Sequence, residues 1–245
     1  MRPEDALARL RGLGFSEGDA RTLFEHFDDA ERRGKLGHGH SRIEWLETLA
    51  DLHPDARPEK EAVHPGFDYW DGRGALGYLT LAAICDDLVA RPPAPARVVV
   101  ASNCFPTGML GYWVRLLAEA GLVALLTTTS PARLPHPEGG PPLVGTNPLA
   151  IGIPSADARP IVVDVSMGRT TYGDVLRGAA SPDELVPFGG EQAHKAFALA
   201  LGLQLVVEST AEGYGAFLVA VQPEFGPAAD AFRERAGGLR LPGDR

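Results

Sequence analysis

Cysteine is scarce: the 245-residue chain holds two, Cys85 and Cys104. Two cysteines build no disulfide framework, and neither stands in a metal-binding spacing. Long apolar runs are also missing. No stretch approaches the ~20 residues that span a bilayer, and the N-terminal "MRPEDALARLRGLGF" has no apolar core of signal-peptide length. We therefore expect a cytoplasmic protein with no membrane partner. Positive charge is in deficit, with 23 Lys and Arg against 32 Asp and Glu, for a net charge of -9. That disfavours nonspecific attraction to nucleic acid, so an anionic ligand needs a local cluster of donors. The phosphate-loop signature G-x-x-x-x-G-K-[ST] does not occur, and an ordinary dinucleotide fold is not indicated.

What is present is helical at the front and mixed behind. Residues 4–34 read as two helices, the second opened by Ser16 with Asp19, carried by the apolar stripe of "ARTLFEHFDDAERRG" and stopped by Gly34. Ser41 and Glu44 read as an S-x-x-E capping box that makes Ser41 the N-cap of a third helix, "IEWLETLADL". "GALGYLTLAAICDDLVAR" is a fourth, ended by "PPAPA". Then "RVVVAS" reads as a buried strand, "MLGYWVRLLAEAG" as a helix and "LVALLTTT" as a strand, a unit that predicts two parallel strands. "LAIGIP", "PIVVDVS" and "GAFLVAV" add strands, while "EQAHKAFALALGLQLVVE" and "PAADAFRERAG" add helices. The loop "SPARLPHPEGGPP" is rich in proline and glycine, and too polar at its centre to be a strand. The class expected is α/β with an N-terminal helical region.

The stretch "KLGHGHSRIEWLETL" invites three readings. His38 and His40 offer two metal ligands, but no spacing selects a third. Alternatively Arg42, at the start of a helix, grips a carboxylate with two parallel hydrogen bonds while His38 exchanges a proton beside it. The third reading makes both histidines loop residues and Arg42 a solvated charge. Further on, Gly145-Thr146-Asn147-Pro148 stands at the mouth of a strand, where Thr146 offers a hydroxyl. "PIVVDVSMGRTTYGDV" ends its strand in Asp164 and then reaches Tyr172-Gly173-Asp174. A carboxylate such as Asp174 orients an imidazole and stabilises its charged form, or caps a helix.

These segments, in order, resemble the type 2 malate/L-lactate dehydrogenase family. "LGHGHSRI" is similar to that family's S-H-G-V-x-R segment, and "ASNCFPTGMLGYWVRLLAEAGLVALLTTTSPA" to its S-N-H-F-G strand, helix and following strand. "PLVGTNPLAIGIP" is the most specific match, followed by "VVDVSMGRTTYGDV", "PFGGEQAHKAFALAL" and "LRLPGDR". The resemblance implies a non-Rossmann malate/L-lactate dehydrogenase-like fold, a homodimer, and hydride transfer between NADPH or NADH and C2 of a 2-oxo or cyclic 2-imino acid. It implies His38 as proton donor and Asp174 as its assisting carboxylate. Arg42, Thr146, Tyr172 and Gly173 would bind the carboxylate substrate. Asp164, Val165 and Ser166 would contact the cofactor, with Cys104, Phe105, Gly108, His194, Lys195 and Arg245 as further contacts. It also implies a helical substrate and dimer region over 1–100, completed by 215–245, and a shortened cofactor-binding-type domain over 101–214.

The departures concentrate in the cofactor half. Gly37 replaces a serine beside the histidine, Cys104 replaces the histidine of S-N-H-F-G, and segments near 178–186 and 208–214 are short. We therefore carry two rivals to the reductase. One is a cofactor-independent lyase, tautomerase or cyclase using the same His/Asp pocket; the other is a non-catalytic derivative of the fold.

Overall fold

The computed structural model describes residues 1–157, 159–226 and 228–244. Two helices open the chain, α1 (Pro3–Gly12) and α2 (Glu17–Arg32). As the spacing predicts, the Ser16 hydroxyl accepts the Asp19 N–H at 3.1 Å, satisfying an amide that the first turn leaves unpaired. The buried stripe of α2, including Leu23, Phe27 and Ala30, faces the core. Asp29 lies at the edge of that stripe and joins Arg115 on a later helix at 2.7 Å, which ties the helical layer to the sheet layer.

A tight turn over Leu36–His38 leads into α3 (Ser41–Glu47). Here the sequence expectation is corrected. The N-cap is His40, without a side-chain cap, and the Ser41 hydroxyl instead donates to Leu36 O at 3.0 Å. The turn before α3 competes for that hydroxyl and wins.

The sheet has seven strands in the order β1-β2-β3-β9-β4-β7-β8. β1 (Glu59–His64) and β2 (Phe67–Asp71) form a hairpin that the sequence reading passed over. Its first strand, "EKEAVH", is mostly polar and lies on the sheet edge, so it lacks the apolar alternation that marks a strand. α4 (Gly77–Ala90) crosses from β2 to the parallel strand β3 (Ala96–Ser102). α5 (Leu110–Glu119) then leads to β4 (Val123–Thr128). β9 (Ala216–Val221) inserts between β3 and β4 and runs antiparallel to both. The two strands therefore share a direction, as expected, without touching.

The rest follows quickly. A two-stranded ribbon, β5 (Leu134–Pro135) with β6 (Pro142–Val144), lies inside the loop that composition marked as irregular. β7 (Leu149–Ile153) and β8 (Ile161–Val165) complete the sheet as an antiparallel pair. α6 (Tyr172–Leu176), α7 (Ala193–Glu208) and α8 (Ala228–Ala236) fill the C-terminal half. The expected boundary at residue 100 falls inside β3, and the 215–245 segment supplies β9 at the centre of the sheet.

Trp113, Val114 and Leu117 of α5 are buried among Leu126, Ala150 and Val162 of the sheet. The approach is close enough that a Cβ at Gly152 would overlap the carbonyl of Val114, so β7 needs a glycine there. No helix among the described residues is long and apolar enough to cross a membrane.

One G-x-G-x-x-G does occur, Gly72 to Gly77 in "GRGALG", between β2 and α4. It is closed off by the chain itself. A Cβ at Gly77 would lie 2.8 Å from Cys104 C, Phe105 N and Pro106 O. Gly72 and Gly77 admit the 103–106 backbone, not a pyrophosphate.

Candidate active site

Four segments meet around a cavity of about 300 Å³: the 36–45 turn and helix, the 105–109 loop, the 128–133 loop with Thr146, and the stretch from Asp164 to Gly173. His38, at the end of the 36–38 turn, and Arg42, in the first turn of α3, both face it. His40 does not. Its ring stacks on Phe24 and lies 3.5 Å from Asp28, so the two histidines of "HGH" point to different environments. Among the described residues no group of three or more His, Cys, Asp or Glu side chains could hold a metal ion.

The His38 ring is enclosed, and its Nδ1 has no hydrogen-bond partner. Burial, then the Arg42 guanidinium and more weakly Lys35, push the imidazole down to about 3, against the opposing pull of Asp174. In the free protein at neutral pH it is therefore uncharged.

Arg42 is 9% exposed. Its Nε donates to Gly37 O at 2.7 Å and its guanidinium lies 5.3 Å from the Trp45 ring centroid. No carboxylate of the described residues pairs with it. A buried guanidinium left without a counter-charge is costly unless an anion fills the space in front of it. The remaining substrate-side residues, Thr146, Tyr172 and Gly173, also line the cavity. The "GTNP" turn that presents Thr146 is fixed from behind, where Asn147 Nδ2 donates to Ala200 O and Gln204 Oε1 on α7.

Asp174 stands behind the wall and not in it. Thr171 is the N-cap of α6, and its hydroxyl accepts Asp174 N–H while donating to Asp174 Oδ2 at 2.7 Å. Arg177 holds the other oxygen at 2.9 Å. Burial raises this carboxyl, but the hydrogen bonds from Thr171 and Arg177 outweigh it and hold the group below its ordinary value. Asp174 acts on His38 through its charge, without a hydrogen bond between them. The space between is filled by Gly37, where a Cβ would stand 3.0 Å from both Thr171 Oγ1 and Asp174 Oδ1.

This arrangement belongs to a known pattern. A family model described as malate/L-lactate dehydrogenase takes in residues 5–190. The chain belongs to the malate/L-lactate dehydrogenase family. A Δ(1)-pyrroline-2-carboxylate/Δ(1)-piperideine-2-carboxylate reductase of Pseudomonas putida is 30% identical over 230 residues, covering 82% of this chain and 67% of its own length. A (2R)-3-sulfolactate dehydrogenase (NADP(+)) of Chromohalobacter salexigens is 29% identical, covering 75% and 56%. The crystal structure of a δ1-piperideine-2-carboxylate reductase from Pseudomonas syringae superposes with a TM-score of 0.83 at 26% identity, over 99% of this chain and 89% of that one. The matches to some of these curated relatives span little more than half of their own length. All three are named as reductases or dehydrogenases, so this chain is a member of an oxidoreductase family with the expected non-Rossmann α/β fold.

The residues that the family resemblance assigned to the cofactor divide into two groups. Phe105, Gly108, Asp164 and Ser166 line the cavity. Asp164 Oδ2 accepts the Gly111 N–H at 2.9 Å, and no described residue bonds its other oxygen. Burial pushes this carboxyl up, against that N–H and the charges of Lys35 and Arg115. Asp164 and Ser166 line the same cavity, and a carboxylate oxygen together with a hydroxyl suits the carboxamide of a nicotinamide. The second group lies elsewhere. Cys104 is fully buried behind the loop, its Sγ against Gly77 O, and Val165 is 39% exposed. His194 and Lys195 are exposed at the start of α7, outside the cavity. Arg245 lies outside the described residues.

Three members of this malate/L-lactate dehydrogenase-family site were missed in the sequence. His26 is fully buried on α2, outside the cavity lining, where its Nε2 accepts the N–H of Met109, a lining residue, at 3.1 Å. Its ring is pushed down to about 3, chiefly by burial. Trp45 and Arg133 line the wall. A histidine on an apolar helix face was the available signal for His26; Arg133, in an irregular loop, gave none.

Proposed function

We propose that the chain is an NAD(P)H-dependent reductase of a small 2-oxo or cyclic 2-imino carboxylic acid. The observation that carries this reading is the placement of His38 with an Arg42 that has no carboxylate partner among the described residues, in one cavity that Asp164 and Ser166 also line. Arg42 takes the substrate carboxylate in a bidentate grip and so orients C2. That anion cancels the guanidinium field that depresses His38, so substrate binding itself raises the imidazole toward protonation. Asp164 and Ser166 would hold a reduced nicotinamide, which would supply the hydride for C2. His38 delivers the proton to the substrate oxygen or nitrogen, giving a 2-hydroxy or 2-amino acid, and Asp174 steadies the imidazolium before transfer. A homodimer belongs to the same proposal, checked by light scattering.

The test begins with cofactor. Trp45 lines the cavity, so titrating NADH and NADPH against tryptophan fluorescence reads occupancy directly. Saturable quenching supports the reading; its absence at millimolar cofactor sinks it. His38→Ala is expected to lower kcat by ~10²–10⁴-fold with little change in KM. The exposure of His194 and Lys195 away from the cavity favours one rival, a cofactor-independent proton-transfer enzyme. Proton exchange next to the carboxylate, without any nicotinamide, would support that rival.

A further inference from the structure

A second hollow, of about 250 Å³, adjoins the catalytic cavity, and Arg42 lines both. Trp45 and Gly173 are the other shared residues, so these three form the partition between the two spaces. Thr48, Leu176 and Arg177 line the second hollow and not the first. Leu176, the last residue of α6, is 45% exposed there, just before the segment near 178–186 that runs short.

The second hollow is cationic and apolar together. Arg42 uses its Nε on Gly37 O, and among the described residues neither terminal nitrogen has a hydrogen-bond partner. At 9% exposure, that guanidinium carries unmet hydrogen-bonding demand toward each space it lines. Arg177 gives its Nε to Asp174, and its terminal nitrogens are likewise without partners among the described residues. Glu44, the one carboxylate of the lining, is mostly exposed and lies 3.8 Å from Arg9. The Trp45 ring and Leu176 supply the apolar surface.

We propose that the second hollow is an inhibitory site for a small carboxylate with an apolar body, held by Arg42 and Arg177 with its body against Trp45 and Leu176. A guanidinium grips one carboxylate at a time with two parallel hydrogen bonds. The occupant therefore draws Arg42 away from the substrate without entering the catalytic cavity. A bare inorganic anion fits less well, because it leaves the apolar surface wet. The inhibitory effect rests on Arg42 holding the substrate, as in the proposed function; the binding does not.

Benzoate is the probe, titrated calorimetrically into wild-type protein and three variants. Thr48→Phe fills the second hollow, Leu176→Glu sets a repelling charge beside it, and Thr146→Val alters the catalytic cavity alone. Thr48 and Leu176 are exposed, so neither substitution burdens the core. Benzoate is expected to bind wild type and Thr146→Val alike, and Thr48→Phe and Leu176→Glu roughly tenfold more weakly. Inorganic phosphate should bind wild type more weakly than benzoate. Loss of benzoate binding in Thr146→Val but not in Thr48→Phe or Leu176→Glu places the probe in the catalytic cavity and overturns the inference. So does phosphate binding as tightly as benzoate, or no binding of benzoate. In steady-state assays benzoate should raise KM for the 2-oxo acid in wild type and leave it unchanged in Thr48→Phe; equal inhibition of both overturns the inhibitory role. If the binding pattern holds but neither NADH nor NADPH binds, the second site stands and the reductase reading fails.

Discussion

Gly173 and Arg42 compete for one volume: a Cβ on the glycine would overlap both the Arg42 Nη2 and the Gly37 carbonyl. The guanidinium reaches the cavity only because residue 173 has no side chain. Gly173→Ala therefore displaces Arg42 without touching its charge. We expect KM for the carboxylate substrate to rise roughly 10- to 100-fold, the loss of a charged hydrogen-bond pair, in steady-state assays. An alanine variant with unchanged KM would mean that Arg42 does not hold the substrate.

Asp174 raises His38 while Arg42 and burial lower it. The substitution Asp174→Asn removes the one raising influence, so the His38 pKa falls further. In the reductive direction His38 must carry a proton, and the rate falls as pH climbs past its pKa in the complex. The variant thus moves that falling limb of the kcat profile to lower pH. A limb that stays in place, or moves up, refutes the electrostatic role.

Gly37 and the Thr171 hydroxyl exclude each other in a similar way, since a Cβ at 37 would sit 3.0 Å from Thr171 Oγ1. Gly37→Ser is expected to cost ~1–3 kcal/mol by overpacking. Adding Thr171→Ala should recover part of the loss, a coupling that a double-mutant cycle of thermal unfolding measures. Strict additivity would show that the two sites do not share the space.

His26 and His38 both lie at about 3 in the folded chain, against ~6.5 when unfolded. Between those values the unfolded chain binds more protons, so their stabilising effect is complete above roughly pH 7 and is lost as pH falls toward 3. Each contributes a slope of up to ~1.4 kcal/mol per pH unit in that window. His26→Gln keeps an acceptor for Met109 N–H but does not titrate. Urea unfolding from pH 7 to 4 should therefore show a shallower slope for this variant; an identical slope would count against the neutral, buried His26.

Residues with local consequences were legible from the sequence. The Ser16 cap, the strand "RVVVAS" and the helix "MLGYWVRLLAEAG" follow from periodicity and hydrogen-bonding needs that neighbours in the chain satisfy. The β1 edge strand was not legible, because its backbone pairing with β2 needs no apolar alternation. The Ser41 cap was misassigned because a hydroxyl chooses between acceptors only once the preceding turn exists. In the site, His38 and Arg42 were readable together, because only a short turn separates them in the chain. Arg133 was not, because its partner ring, Tyr172, is far away in the chain.

By itself the sequence determined most of the helices and the apolar strands, the excess of negative charge, and the family. It also placed an imidazole and a guanidinium side by side. Only the tertiary structure decided that β9 enters the middle of the sheet, that Asp174 acts from behind Gly37, and that two guanidiniums without carboxylate partners share a cavity. Periodicity encodes what a segment buries. Which charges meet across a cavity depends on long-range packing, and single glycines at 37, 152 and 173 permit those approaches by leaving room for another part of the chain.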